Sequence, residues 1–587
     1  MIVTVLSWIW IGVASFVSGF GVLEGLFRGK EGKKYSLEMY ILAGLCVLTV
    51  YAQTFSLFYK VELVATVILA VACLGTIVCL RGKLVNYVTD VCKKIRLYKV
   101  AIVALIVGCV VILAAQTPIH YDTDLYHAQS IRWIEEYGIV KGLGNLYNRL
   151  AYNSAFFSLQ ALFSLRFALG RSLHSVNGFF VAIMLCYSIL TLKVIKEKRL
   201  VVSDLFKLGL IFYMSSASVQ WVISSPGSDI LALGMVLYLG AKWSEYREQN
   251  QNDIMNYGVL CLLAVWACTI KLSAAMLVLL AIYPAVELIR KKAWKQIALF
   301  VGAGIVILLP FLIRNIFISG YLIYPYATID IFDVDWKMAE SVVRDDQLEI
   351  AAWGRGMTSR EMYEAPASVW LPVWFANLSV GYRILVGVNV LCTVCAVIYQ
   401  LMKTIRCVKC GKRIDLQELS LYITSLTNLL FWFVSSPLMR YGEVYLLLMP
   451  VLLAGALMEY LHERLQTHAS DTLGCFCFQS GCLGVAVLVL VISFVKYYEK
   501  DVYYGLEPQL MPADYFLREG MVYQMDDVTI YIPLGSDQPG YNNFPGTPNS
   551  ERAQIAELRT GRLEDGFRLK EEFRGARINT SGTVFWP

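Results

Sequence analysis

The sequence predicts an all-α membrane protein, a bundle of about 13 to 15 transmembrane helices followed by a small extracytoplasmic domain that contains strands. Hydrophobic residues make up 57% of the 587 residues, and charged residues make up only 16%. The mean hydropathy is +0.57. A soluble chain of this length would carry far more charge, so water is not the main solvent of this protein.

Apolar runs define the predicted spans. A helix of about 20 apolar residues crosses a bilayer core of about 30 Å, and such runs recur along the chain between short charged loops. Spans are predicted near residues 2–26, 38–58, 62–80, 99–117, 175–194, 205–223, 230–245, 255–270, 272–290, 295–313, 383–402, 418–434, 442–461 and 478–496. The apolar stretch 154–169 is interrupted by Arg166, and we interpret it as an interfacial or re-entrant helix.

Basic residues in the loops predict the orientation. The first run is too long for a signal sequence and no basic stretch precedes it, so we expect a retained helix with its N-terminus outside. Dense basic clusters occur at 28–34, 93–96, 193–199, 290–292 and 403–413. If 154–169 does not cross, all these clusters face the cytoplasm, as the positive-inside rule requires. The predicted location is the cell (inner or cytoplasmic) membrane.

Composition divides the chain into three parts. These are a three-helix membrane segment at 1–98, a membrane core at 99–497 and a polar C-terminal domain at 498–587. Alternation in Val528 to Ile532, with Gly, Pro and Asn residues in 535–548, predicts strands and turns in the last part. No cysteine follows Cys482, so no disulfide framework is expected there. We attribute the net charge of +6 to basic anchors on the cytoplasmic side and expect no nucleic-acid partner.

The predicted chemistry lies on the outer side. The sequence contains no phosphate-binding loop, dinucleotide fingerprint or HExxH motif, and no predicted cytoplasmic loop is long enough to fold around a nucleotide. The two longest polar loops, 118–153 and 319–380, both fall outside in the predicted topology. Loops of this length are usually functional or disordered.

The first of these loops opens with the run HYDTDLYH, from His120 to His127. We expect an interfacial helix from Asp124 to Tyr137, with Asp122 or its neighbour at the N-cap. A carboxylate here can act as general base on a hydroxyl, while His127, on the same helix face as Asp124, orients it or binds a second group. In a second interpretation Asp122 only caps the helix and Asp124 complements its dipole. In a third, the acids and histidines of this run bind a divalent metal, although the sequence requires no cofactor.

Isolated polar residues lie at the outer ends of other predicted spans. They are Asp229, Lys271, Arg314, Arg440 and Tyr441. Each one alone is typical of a helix cap or a snorkelling anchor. Together with the acids of the first loop, they suit a ligand that has an anionic phosphate and a hydroxyl to be deprotonated. Arg440 is the leading candidate for the phosphate because a guanidinium can pair bidentately with oxygen anions, and we expect Arg314 and Lys271 beside it.

The order of these features resembles the GT-C superfamily of membrane glycosyltransferases, which includes oligosaccharyltransferases, protein O-mannosyltransferases and aminoarabinose transferases. Over residues 99–587 the chain more closely resembles an uncharacterised bacterial branch of multi-pass membrane proteins, through the segments YDTDLYHAQSIRWIEEYG, NSAFFSLQALFSL, TIKLS, RNIFISGYLIYP and SSPLMRYGE. The resemblance implies transfer of a sugar from a polyprenyl-phosphate carrier to a glycan, lipid or protein acceptor, in contact with membrane lipids.

The resemblance also implies that an acid of the first loop is the base. We favour Asp122 over Asp124 because it is nearer the end of the membrane helix. The chain departs from the superfamily pattern in that Thr123 separates the two acids and three helices precede them. Two other functions stay open. A polysaccharide polymerase or ligase would depend on Arg314 or Arg440, and a lipid-sugar flippase or transporter would carry polar residues at the bilayer midplane.

Overall fold

The computed structural model describes residues 1–27, 35–193, 200–251, 253–465 and 510–585. These residues are mostly helical, and the strands among them all lie after residue 519. The α-helices are Ile2–Leu26, Leu37–Ser56, Leu63–Cys79, Arg81–Lys94, Leu97–Ala114, Ala128–Glu136, Leu143–Leu146, Ala155–Leu162, Arg166–Leu169, Val176–Thr191, Val202–Met214, Ala217–Val222, Asp229–Glu248, Ile254–Ile270, Ile282–Arg290, Trp294–Ser319, Glu340–Gly354, Ala367–Asn377, Val380–Lys409, Leu416–Ser435, Met439–Gly442, Tyr445–Leu465 and Ser550–Ile555.

Short 3-10 and π-helical segments lie between several of these α-helices. The 3-10 segments are Asn148–Ala151, Leu272–Ala281, Arg360–Met362, Leu563–Asp565 and Glu571–Phe573. One π-helical turn, Thr123–His127, runs directly into Ala128–Glu136. The described part of the chain contains six strands, which are Gly520–Met525, Val528–Pro533, Ala556–Leu558, Phe567–Leu569, Arg577–Ile578 and Val584–Phe585. They form three antiparallel pairs in sequence order, which confirms the strands predicted in the C-terminal part.

Six helices among the described residues are long and apolar enough to cross a bilayer. They are Ile2–Leu26, Leu37–Ser56, Leu97–Ala114, Leu272–Arg290, Trp294–Ser319 and Val380–Lys409. A bent pair, Leu63–Cys79 and Arg81–Lys94, would be a seventh if its 85° kink lies within one span. The prediction of a mostly helical protein with several apolar helices is therefore confirmed. The described residues contain fewer helices of bilayer length than the 13 to 15 predicted.

Several predicted spans fall on shorter or interrupted helices. The predicted span 205–223 is divided between Val202–Met214 and Ala217–Val222, because the Ser216 hydroxyl caps the second helix by accepting from the Val219 N–H at 3.4 Å. The stretch predicted to be interfacial contains Ala155–Leu162, a helix of eight residues, which is about 12 Å long and too short to cross. The predicted span 478–496 lies outside the described residues.

Two glycines let the first two long helices approach closely. A Cβ on Gly19 would lie 1.9 Å from the Tyr40 carbonyl oxygen, and one on Gly44 would lie 1.7 Å from the Ser15 carbonyl oxygen. Neither position has room for a side chain. In lipid, the hydrophobic effect does not drive apolar helices together. Small residues at helix contacts allow the backbones to approach closely, so that van der Waals packing holds the helices together.

A separate hydrophobic core joins the two long loops to residues 510–585, which we call the C-terminal segment. Trp133 of the first loop, Val343 of the second, and Ile530 and Phe567 of the C-terminal segment are buried in the same cluster. The Thr547 hydroxyl also donates to the Leu146 carbonyl at 2.8 Å. Both loops and the C-terminal segment therefore lie at the same end of the helical bundle.

Asp346 joins the two long loops. It lies on the helix Glu340–Gly354 and is fully buried. Its carboxylate accepts from Asn148 Nδ2 at 3.0 Å, from the Tyr152 hydroxyl at 2.9 Å and from the Tyr324 hydroxyl at 2.8 Å. Burial raises the pKa of Asp346 to about 6, although the nearby Arg149 opposes this.

Candidate functional site

Four charged side chains from distant parts of the chain meet where helices end. Arg440 Nη2 lies 2.6 Å from Asp122 Oδ2, and Arg440 Nε lies 3.4 Å from Asp229 Oδ2. Lys271 donates to the other oxygen of Asp229. We call Asp122, Asp229, Lys271 and Arg440 the charged cluster. All four were predicted from the sequence as site residues.

Local backbone structure explains how these side chains reach one point. Asp229 is the first residue of the helix Asp229–Glu248, where the helix dipole stabilises a negative charge. Lys271 has extended backbone angles, φ −152° and ψ 126°, between Ile254–Ile270 and the following 3-10 helix. Arg440 lies in a single helical turn, Met439–Gly442, that follows Pro437. The cluster is thus built from residues at points where helices begin or end.

Tyr441 provides an aromatic surface beneath both cations. Its ring centroid is 3.9 Å from Lys271 Nζ and 5.0 Å from Arg440 Cζ. Arg440 Nη2 also donates to the Tyr441 hydroxyl at 3.2 Å. A cation over an aromatic face is attracted by the ring quadrupole, so Tyr441 helps to fix the positions of both cations.

Two histidines of the first loop line the cluster. Arg440 Nη1 contacts His120 Nε2, and because a guanidinium only donates, His120 must accept there and carry its proton on Nδ1. The rings of His120 and His127 are nearly parallel, at 9°, with centroids 6.1 Å apart. Burial lowers the pKa of His120, helped by Arg440, and burial lowers the pKa of His127 to about 3. Both imidazoles are therefore neutral near pH 7.

The two acids of the cluster stay ionised. Burial raises the pKa of Asp122, but Arg440 and the neighbouring His127 and His120 together outweigh that effect and bring the pKa below its ordinary value. Burial also raises the pKa of Asp229, and Lys271 and Arg440 together lower it to about 2. Two anions and two cations therefore balance, and the cluster has no net charge before a ligand binds.

Asp124 has a different partner from Asp122. Its Oδ2 accepts from Arg518 Nη2 at 2.6 Å and from Arg518 Nε at 3.0 Å. Its other oxygen is buried without a hydrogen-bond partner among the described residues. Burial raises the pKa of Asp124, and Arg518 only partly offsets this. The two acids of the first loop are therefore held by different cations, Asp122 by Arg440 and Asp124 by Arg518.

The geometry bears on the two other interpretations of the first loop. Asp122 precedes the π-helical turn but its side chain makes no capping hydrogen bond; it contacts Arg440 instead. The described residues hold no group of three or more His, Cys, Asp or Glu side chains that could bind a metal. The divalent metal considered from the sequence therefore has no set of ligands in this part of the chain.

Arg314 lies apart from the other predicted phosphate-binding residues. Its guanidinium donates to Asn153 Oδ1 at 3.3 Å and to the Ser56 hydroxyl. These partners belong to the end of Leu37–Ser56 and to the first loop. The predicted group of three cations is thus divided in space, with Lys271 and Arg440 in the cluster and Arg314 elsewhere.

Sequence reasoning missed the residues of the C-terminal segment that hold the first loop. Gln129 Nε2 donates to the carbonyls of Gly540 and Asn543 at 2.7 and 2.8 Å. Glu135 is buried and accepts from the Tyr541 hydroxyl at 2.7 Å. No sequence signal marks these pairs, because they join residues about 400 positions apart through ordinary polar side chains.

The fold and the site together define the class of protein: it is largely helical, has several apolar helices of bilayer length, and carries a half-buried, charge-balanced cluster where helices end. The chain belongs to a family described as a domain of unknown function (DUF8201), whose profile matches residues 1–447. No curated protein and no solved structure matches the chain. The matched range contains the whole charged cluster, whereas Arg518 lies beyond it.

Proposed function

We propose that the protein is a multi-pass membrane glycosyltransferase of the GT-C type. It moves a sugar from a polyprenyl-phosphate donor to a glycan, lipid or protein acceptor on the extracytoplasmic face of the cell membrane. The observation that carries this proposal is the charged cluster, in which two cations suited to a phosphate lie beside an ionised carboxylate suited to a base.

The resting ion pairs suggest how the donor activates the site. Arg440 and Lys271 are both engaged by carboxylates, so a phosphate anion that binds them must displace at least one acid. Displacement of Asp122 from Arg440 leaves its carboxylate free to accept the proton of the acceptor hydroxyl. The acceptor oxygen then bonds to the anomeric carbon, and the bond from that carbon to the phosphate oxygen breaks with its electron pair on the phosphate. The sugar is transferred with inversion.

The contacts favour Asp122 over Asp124 as the base. Asp122 shares Arg440 with Asp229, so exchange of partners on phosphate binding is possible within the cluster. Asp124 is held by two nitrogens of Arg518, which lies outside the cluster. Asp124 therefore serves to join the first loop to the C-terminal segment.

The shared core of the loops and the C-terminal segment supports a single outer face. If the C-terminal segment is extracytoplasmic, then the first loop, the second loop and the cluster beside them lie on that side too. Catalysis would take place at the headgroup level, where the polyprenyl phosphate of the donor resides.

A second set of buried charges bears on the transporter alternative. Glu245 accepts from Lys207 at 2.8 Å and from Lys242 at 3.0 Å, and Lys242 also pairs with Glu38 at 2.9 Å. A transporter would place such charges at the midplane. Lys242 and Glu245 follow Asp229 on the same helix by 13 and 16 residues, about 20 to 24 Å along its axis. They lie near the opposite end of the bundle, which favours a structural role.

The direct test is sugar transfer from radiolabelled polyprenyl-phosphate sugars by the purified protein. General base catalysis contributes about 10² to 10⁴-fold, so Asp122→Asn should lose at least about 100-fold in turnover while the protein still binds the donor. Asp124→Asn should lose less. Asp333→Asn, at an exposed position of the second loop, is the matched control and should retain full activity.

Two results would redirect the assignment. Full activity in both Asp122→Asn and Asp124→Asn would exclude a carboxylate base and favour a polymerase, ligase or transporter. Loss in Asp124→Asn alone, reproduced by a chelator in the wild type, would assign the chemistry to Asp124 with a metal.

A further inference from the structure

Arg314 is a buried cation that has no acidic partner among the described residues. Its side chain is 3% exposed, and its hydrogen-bond partners in the described part of the chain are the neutral groups of Ser56 and Asn153. By contrast, Arg149 of the first loop pairs with Glu349 at 2.8 Å. A guanidinium keeps its proton in proteins, and a buried charge is costly unless it is paired.

The neutral partners of Arg314 supply dipoles only. Ser56 donates its own proton to the Gln53 carbonyl at 2.6 Å, and Asn153 donates its amide to the Phe311 carbonyl at 2.9 Å. Both therefore turn an oxygen lone pair toward Arg314. The positive charge is solvated by these dipoles but not neutralised.

A small cavity adjoins Arg314. The centre of a water-sized sphere can occupy about 10 Å³ inside it, and its lining includes Arg314, Ser130 and Trp133. Ser130 Oγ and Trp133 Nε1 are both buried, and neither has a hydrogen-bond partner among the described residues. The lining thus combines a permanent cation with the side chains of Trp133 and Ser130, and most of its other residues are apolar. This set of donors suits a small anion.

We propose that this cavity binds a monovalent inorganic anion of the size of chloride, held by Arg314, Trp133 and Ser130. The anion would neutralise Arg314 and satisfy both unpartnered donors. It would also connect Trp294–Ser319 to Ala128–Glu136, the helix that follows the acids of the first loop. The proposal is independent of the proposed transferase activity.

The test measures thermal unfolding of the full chain in detergent, with chloride exchanged for gluconate at constant ionic strength. Gluconate is too large for the cavity. Binding to the folded state raises the unfolding temperature in proportion to the logarithm of ligand concentration above the dissociation constant. We expect that rise with chloride and with bromide, and an anomalous scattering peak of bromide beside Arg314. An unfolding temperature that does not depend on the halide, with water only in the cavity, would overturn the proposal.

Three variants and a control locate the effect. Arg314→Gln should abolish the dependence on chloride, and Trp133→Phe and Ser130→Ala should each weaken chloride binding about tenfold or more by removing one hydrogen bond to a charged group. Ser158 is the matched control, since its hydroxyl is also buried and unpartnered in the described chain but lies outside the cavity lining, and Ser158→Ala should bind chloride as the wild type does. If Arg314→Gln does not fold, unchanged chloride affinity in both Trp133→Phe and Ser130→Ala would by itself overturn the proposal.

Discussion

Replacement of Arg440 by Lys is expected to weaken binding of the lipid-phosphate donor while leaving the fold intact. The Arg440 guanidinium contacts Asp122, Asp229, His120 and Tyr441 through three different nitrogens. A lysine keeps the charge but presents it at one nitrogen, so it cannot reproduce a bidentate contact with phosphate oxygens.

The magnitude follows from the lost contact. A hydrogen bond to a charged group contributes about 1.5 to 3 kcal/mol, and about 1.4 kcal/mol corresponds to a tenfold change in affinity. The Arg440 side chain is 30% exposed, so solvent screening favours the lower end of that range. We therefore expect the KM for the donor to rise about tenfold, with a smaller change in turnover.

The assay is transfer at varied concentrations of the polyprenyl-phosphate sugar, together with the unfolding temperature of each variant. Arg383→Lys is the matched control, since Arg383 is exposed and donates to the backbone carbonyls of Ala376 and Leu378. An unchanged KM in a folded Arg440→Lys protein would remove Arg440 from the phosphate site and refute this account of the cluster.

Three other predictions concern topology, the C-terminal segment and pH. Cysteines introduced near residues 130, 350 and 540 should be labelled from outside the cell, and labelling of any of them from the cytoplasm alone would contradict the topology. Arg518→Gln should loosen the C-terminal segment, with limited proteolysis about fivefold faster, because a partly exposed ion pair contributes about 1 kcal/mol. Arg568→Gln should not accelerate proteolysis as much, because its acidic partner Glu557 is more exposed than Asp124. Because the folded pKa of Asp346 is raised to about 6, its contribution to stability is present below about pH 4 and is lost as pH rises through 6, by up to about 3 kcal/mol. Thermal unfolding of the wild type between pH 4 and 7 should show this slope and Asp346→Asn should flatten it, whereas the opposite slope would contradict the assignment.

The sequence revealed which residues of the cluster are unusual but not how they pair. Asp229, Lys271 and Arg440 stand out because charged residues are expensive at the ends of apolar runs. Their partners follow from the packing of helices that are far apart in the chain, since Asp122 and Arg440 are 318 residues apart. Hydropathy indicates how deep a residue lies in the bilayer but gives no information on which helix faces which.

Arg314 and Arg518 are two arginines whose partners hydropathy could not predict. Arg314 and Arg440 occupy similar positions relative to the predicted bilayer, so the sequence grouped them; the structure separates them, with Arg314 against Ser56 and Asn153. Arg518 follows the last predicted span, in a polar segment where charged residues are common. Nothing in the sequence around Arg518 distinguishes it from the other charged residues of this segment as the partner of Asp124.

The shared hydrophobic core of the first loop and the C-terminal segment has a consequence for biosynthesis. Gln129 and its partner Gly540 are 411 residues apart, and ribosomes add about 5 to 20 residues per second. The first loop therefore emerges about 20 to 80 seconds before the residues that complete its core. During that interval Trp133 and its apolar neighbours lack the C-terminal residues that bury them. A nascent chain halted before residue 510 should be a good client for chaperones, and a mutation that weakens the late docking of the C-terminal segment would first reduce the yield of protein.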